Sequence, residues 1–133
     1  MSKISGIITQ LETKDTLNII TLDCGGFELI MMSLELSKDI TIGSHVIVSV
    51  KSTSLSIGKN FSGQLSISNQ LQASVKSIEL GEMLCSVCVV LEEIEVEVIL
   101  TKKTLHTMDL VKGDRVDLFI KASEISIVEV IDG

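Results

Sequence analysis

Two stretches of this chain set a lysine at the end of an alternating apolar run and follow it with small residues. One is Phe119-Ile120-Lys121-Ala122-Ser123-Glu124-Ile125-Ser126-Ile127. The other is Ser49-Val50-Lys51-Ser52-Thr53-Ser54-Leu55-Ser56-Ile57. The ammonium group supplies a positive charge and up to three donors. The small residues let a ligand approach main-chain N–H groups, and Ser52, Thr53 and Ser123 add hydroxyls. That chemistry is the holding of a small anion, and the chain carries it twice.

The elements around the two lysines repeat as well. Isoleucine, valine and threonine are abundant, proline is absent, and short alternating runs dominate over helical periodicity. Strands are predicted at Ile4 to Leu11, Leu17 to Leu22 and Phe27 to Met32, the last two joined by the turn signal Cys24-Gly25-Gly26. A short helical turn is predicted between Ser33 and Asp39. A turn at Ile42-Gly43-Ser44 leads into Val46, Val48 and Val50, and Ser54 to Ile57 closes the first unit. Gly58 to Gln64 reads as a linker. The pattern then returns at Leu71 to Glu79, Leu84 to Leu91 and Ile94 to Leu100, with a short helix over Thr101 to Asp109. The turn Val111-Lys112-Gly113-Asp114 precedes Val116, Leu118 and Ile120. The offset between copies grows from about 67 residues early to about 70 late, by repeat comparison. The expected fold class is all-β: two tandem OB-like five-stranded barrels, each with a short helix, over residues 1–60 and 65–133. Barrels this small bury modest cores, so packing against further chains is expected.

Composition narrows the function. The 133 residues carry a net charge of −7, and tyrosine and tryptophan are absent. An acidic surface without stacking rings argues against a nucleic-acid partner. No apolar run reaches the length of a membrane helix, and the N-terminus lacks a signal peptide's apolar region, so a cytoplasmic protein with no membrane partner is expected. Cys24, Cys85 and Cys88 suit a reducing compartment. Cys85 and Cys88, three apart on a predicted strand, point to opposite faces and do not suit a shared metal. The glutamates Glu92, Glu93, Glu95 and Glu97 read as a solvated face. No nucleophile–base order, metal-ligand cluster or phosphate loop is present, so an enzyme is not expected.

Several separated segments of the second copy carry a family resemblance. Ser66-Ile67-Ser68-Asn69-Gln70-Leu71 stands where molybdate-binding Mop domains open with Ser-Ala-Arg-Asn-Gln-Leu. Val75, Ile78, Gly81-Glu82 and Val87 match the strands that follow. Leu100-Thr101 with Thr104, and Leu110 to Asp114, occupy the places of two further family elements. The closing Ile-Lys-Ala-Ser is present unchanged as Ile120-Lys121-Ala122-Ser123. The chain therefore resembles the Mop, or molbindin, family, also called TOBE domains, from about Ser66 to Ile127. The first copy is a weaker version, with Val50-Lys51-Ser52-Thr53 in the closing position. Departures are Ser68 in place of the family arginine, Leu34 near the strand-end threonine position, and Glu92-Glu93 where the first copy keeps Gly25-Gly26.

The resemblance implies a di-domain protein that binds molybdate or tungstate between domains or subunits and forms a homo-oligomer, a trimer or a dimer. It implies an oxyanion site built from Lys51, Ser52, Thr53, Lys121, Ala122 and Ser123. Ser66, Ser68 and Asn69 would complete the shell from a neighbouring domain or chain, and Thr101 would add a hydroxyl. Such a site requires converging donors and no carboxylate in contact. Storage, homeostasis or sensing of the ion is the implied role. The alternative is a regulatory interaction module of a molybdate transporter or a transcription regulator.

Overall fold

A computed structural model of the chain describes residues 1–131, so positions 132 and 133 of the expected second domain lie outside the described residues. The first five strands are β1 (Ser2–Lys14), β2 (Leu17–Asp23), β3 (Glu28–Ser33), β4 (His45–Val50) and β5 (Ser56–Gly58). The next five are β6 (Asn69–Leu80), β7 (Leu84–Leu91), β8 (Ile94–Thr101), β9 (Arg115–Ile120) and β10 (Ile125–Ile131). The one α-helix among the described residues is α1 (Lys102–Thr107), and 3₁₀ turns span Ser52–Ser54 and Ala122–Glu124. No helix of the described residues is long and apolar enough to cross a membrane.

The strands form two five-stranded sheets, ordered β10-β4-β1-β2-β3 and β5-β9-β6-β7-β8. The last strand of each repeat is exchanged. β5 does not close the unit that precedes it; it pairs antiparallel with β9, Ile57 opposite Leu118. β10 pairs antiparallel with β4, Ile125 opposite Val50. Accordingly one compact unit comprises Lys3–Val50 with residues 121–131, and the other Met1–Ser2 with Lys51–Ile120. The ranges 1–60 and 65–133 follow the repeat along the chain, whereas the compact units follow strand pairing. The exchange occurs at the lysines themselves. Both are extended, Lys51 at φ −77°, ψ 135° and Lys121 at φ −68°, ψ 140°, and the 3₁₀ turn that follows redirects the chain.

Within each unit the period-two alternation sorts side chains as the sequence predicts. Ile4, Ile8, Ile20, Leu22, Leu29, Met31, Val46 and Val48 are fully buried in one unit, and Val87, Val89, Val96, Val98 and Leu118 in the other. Both long strands carry a bulge at the same repeat position, after Ile8 in β1 and after Val75 in β6. There the ladder is completed by the glycine turns. Ile8 N–H donates to Ser44 O and its carbonyl accepts from Gly43 N, while Val75 makes the same pair of bonds with Asp114 and Gly113. Gly43 and Gly113 both sit at φ +95°, which only glycine adopts without strain.

One expectation is corrected here. The first copy has no helix between Ser33 and Asp39, only a bend and a turn. It is about three residues shorter at this point, and Leu34 cannot cap; the Ser33 hydroxyl donates instead to Glu35 O at 2.6 Å. The linker Gly58 to Gln64 makes specific contacts. Gly58 ends β5, and a Cβ there would sit 2.7 Å from the Phe119 ring. Phe61 stacks edge-to-face on Phe119 at 5.3 Å. Lys59 donates to Asp109 O at 2.5 Å and pairs with Asp114 at 3.1 Å.

Candidate oxyanion site

Each lysine turn is built the same way. A buried β-strand delivers the lysine to the surface, the next residue turns inward, and the one after it faces out. Lys51 and Thr53 are exposed around buried Ser52; Lys121 and Ser123 are exposed around buried Ala122. The turns close with Ser54 N–H on Lys51 O at 2.9 Å and Glu124 N–H on Lys121 O at 3.0 Å. The inward residue anchors the turn on a sheet: the first turn packs on β8 and the second on β3. An ammonium group and adjacent hydroxyl or main-chain N–H donors are thus presented at one corner in each unit.

The second turn borders an open cleft of about 610 Å³. Its walls include Met31, Ser33, Ile40 and Ile125, with Ser123 at one side and Glu35 among the lining residues. Among the described residues no hydrogen bond joins Glu35 to the turn.

The first turn is different. Ser52 Oγ donates to Glu97 Oε1 at 2.9 Å, and Ser86 Oγ donates to Glu97 Oε2 at 2.7 Å. The Glu97 main-chain N–H donates to Ser2 Oγ at 3.1 Å, and the Met1 ammonium lies 3.3 Å from Ser52 Oγ. The Ser86 and then the Ser52 hydroxyl hold the Glu97 carboxyl below its ordinary range. A carboxylate is therefore in contact with Ser52 at this turn. Glu97 is exposed, as a residue of a solvated face should be, but it also accepts a hydrogen bond from a residue 45 positions away. Alternation along β8 places Glu97 outward; nothing local in the sequence says that residues 51–54 meet that face.

The remaining expected ligands fall as follows. Asn69 is buried, and its amide Nδ2 donates to Ile120 O at 3.0 Å, within the β6–β9 ladder that ends at the second lysine. Ser66 and Ser68 are exposed in the segment before β6. That segment is held by Gln70, whose side chain donates to Leu65 O and Ile67 O. Thr101 is the N-cap of α1: its Oγ1 accepts from Thr104 N at 3.1 Å and donates to Thr104 Oγ1 at 2.7 Å. Lys51, Ser52 and Thr53 thus share one corner, as do Lys121, Ala122 and Ser123, while the Thr101 hydroxyl caps α1.

The cysteines are all free thiols. Burial, with a smaller push from Asp23, raises the Cys24 thiol to about 11. No group of three or more His, Cys, Asp or Glu residues among those described is arranged to hold a metal ion.

Comparison with known proteins adds to this geometry. The model of a family described as the TOBE domain matches residues 65–127. No curated protein sequence matches the chain. Among solved structures, the chain is similar to the cytoplasmic molybdate-binding protein ModG, in a crystal form with molybdate bound. Identity is 25%, the alignment covers 94% of this chain and 93% of that one, and the TM-score is 0.88. A molybdate-binding protein from Sporomusa ovata aligns over 50% of this chain and 100% of its own, at 28% identity and a TM-score of 0.48.

Proposed function

We propose that the chain, whose residues 65–127 match the TOBE domain model, binds molybdate as a whole, held at the two lysine turns. The observation that carries this reading is the likeness to a molybdate-loaded protein across 94% of the chain, with a TM-score of 0.88. The turn chemistry supports it independently. Molybdate is a tetrahedral dianion with acceptors on every side and no donor. Lys121 with the Ala122 and Ser123 main chain, and Lys51 with Ser52 and Thr53, offer donors and positive charge without any group that must react. Tungstate has the same charge and shape and binds at the same places. Sulfate is smaller, and a cage shaped for longer metal–oxygen bonds leaves it with stretched hydrogen bonds. Association of two or three chains brings the exposed Ser66 and Ser68 to complete the shell, with Asn69 holding the end of the strand that leads to Lys121. The role is storage, homeostasis or sensing of the ion inside the cell.

Isothermal titration with molybdate, with sulfate as control and light scattering to read the assembly, tests the assignment. Lys51→Ala combined with Lys121→Ala abolishes the molybdate heat, whereas the unmodified chain binds molybdate and scarcely binds sulfate. Unchanged affinity in the double variant would refute the site.

A further inference from the structure

We propose that Glu97 is an internal competitor for the first lysine turn, so that the two turns of one chain are unequal oxyanion sites. The proposal rests on the oxyanion reading above. A serine hydroxyl has one proton to give, and Ser52 gives it to Glu97. Ser86 holds the second carboxylate oxygen, and Ser2 holds the Glu97 main chain, so the carboxylate is fixed rather than swinging free. A dianion arriving at Lys51 meets a fixed negative charge and finds one of its donors already taken. It enters only when Glu97 turns away.

The second turn has no counterpart to the Glu97 carboxylate or to the two hydroxyls bonded to it. Buried Val96 and Val98 of β8 occupy the repeat places of buried Leu29 and Met31 of β3. By the same offset Glu97 answers to Ile30 and Ser86 to Ile19, while Ser52 answers to Ala122 across the lysines. Three polar residues that bond one another in one unit are three apolar residues in the other. Replacement as a set, with the lysine kept in both, marks the network as a device of the first turn. Glu35, which lines the cleft at the second turn, lies beyond the end of β3 and does not bond the turn.

The test is isothermal titration with molybdate in backgrounds that leave one turn at a time. In Lys121→Ala, which keeps the first turn, adding Glu97→Gln tightens binding by about tenfold or more, the scale expected for removing a charge close to a dianion. In Lys51→Ala, which keeps the second, Glu97→Gln changes nothing. A reciprocal variant, Ile30→Glu in the Lys51→Ala background, installs the competitor at an exposed position and weakens the second turn. It decides the matter even if Glu97→Gln fails to fold. Equal affinities with and without Glu97→Gln in a folded Lys121→Ala protein, or no effect of Ile30→Glu, would overturn the proposal while leaving molybdate binding intact. Absence of molybdate binding in every form, Glu97→Gln included, would instead remove the oxyanion reading and this proposal with it.

Discussion

Thr101 shows how one hydroxyl can serve two different readings. At the end of β8 it stands where a ligand hydroxyl is expected, and it also precedes Lys102 with Thr104 three residues on, which is the pattern of a helix cap. The geometry puts it at the cap, bonded to both Thr104 N and Thr104 Oγ1. Thr101→Ala is expected to lower stability by about 1 kcal/mol in urea denaturation, the usual cost of losing such a cap. Molybdate affinity should stay the same; a marked loss would return the hydroxyl to the ion. Ser52 and Ala122 make the companion case. They hold the same repeat position, both are buried, and one carries a hydroxyl that must find a partner. That partner is Glu97, which the lysine motif itself gives no reason to suspect.

At the scale of elements, the exchanged strands matter most. β10 supplies the strand beside β4, covering a strand of Val46, Val48 and Val50 that is otherwise an open edge. A chain shortened to end before Ile125 is expected to lose amide protection in His45–Val50, read by hydrogen exchange, while β7 and β8 keep theirs. Loss spread evenly over both sheets would show that the units do not fold as the pairing implies. β5 is shorter, three residues against the seven of β10. Its attachment is reinforced by Gly58 lying against Phe119, by Phe61 on the same ring, and by the Lys59–Asp114 pair. A segment with the composition of a flexible linker is therefore ordered by an aromatic contact and an ion pair.

For the whole molecule, acid response follows from three carboxylates. Lys76 holds Glu95 below its ordinary 4.5, Ser86 and Ser52 do the same for Glu97, and the Val111 N–H and Lys59 lower Asp114 from 3.8. A lowered carboxyl pKa adds stability that is fully present above the ordinary value and is lost as pH falls through the folded-state value. Stability should thus decline as pH drops below about 4.5, measured by urea midpoints. Asp114→Asn should flatten the lowest part of that decline. Glu95 and Glu97 are solvent-exposed, so their contributions are small and weakened by salt, whereas Asp114 is half-buried against Lys59.

The strand pattern, the duplication, the two lysine corners and the resemblance of the second half to TOBE domains were all legible in the residue order. Alternation decides which side chain is inward on any strand, and a motif with fixed spacing survives without knowledge of its neighbours. What the order of residues left open was partnership. Which sheet receives β5 and β10, whether a hydroxyl at residue 101 meets a ligand or a helix, and that the carboxylate of residue 97 closes on residue 52 all depend on contacts between distant positions. Those contacts are set by strand pairing and packing of the folded chain, which no local pattern encodes. The inequality of the two corners is therefore a property of the tertiary structure, although the residues that make it, Glu97 against Ile30 and Ser52 against Ala122, are written in the sequence.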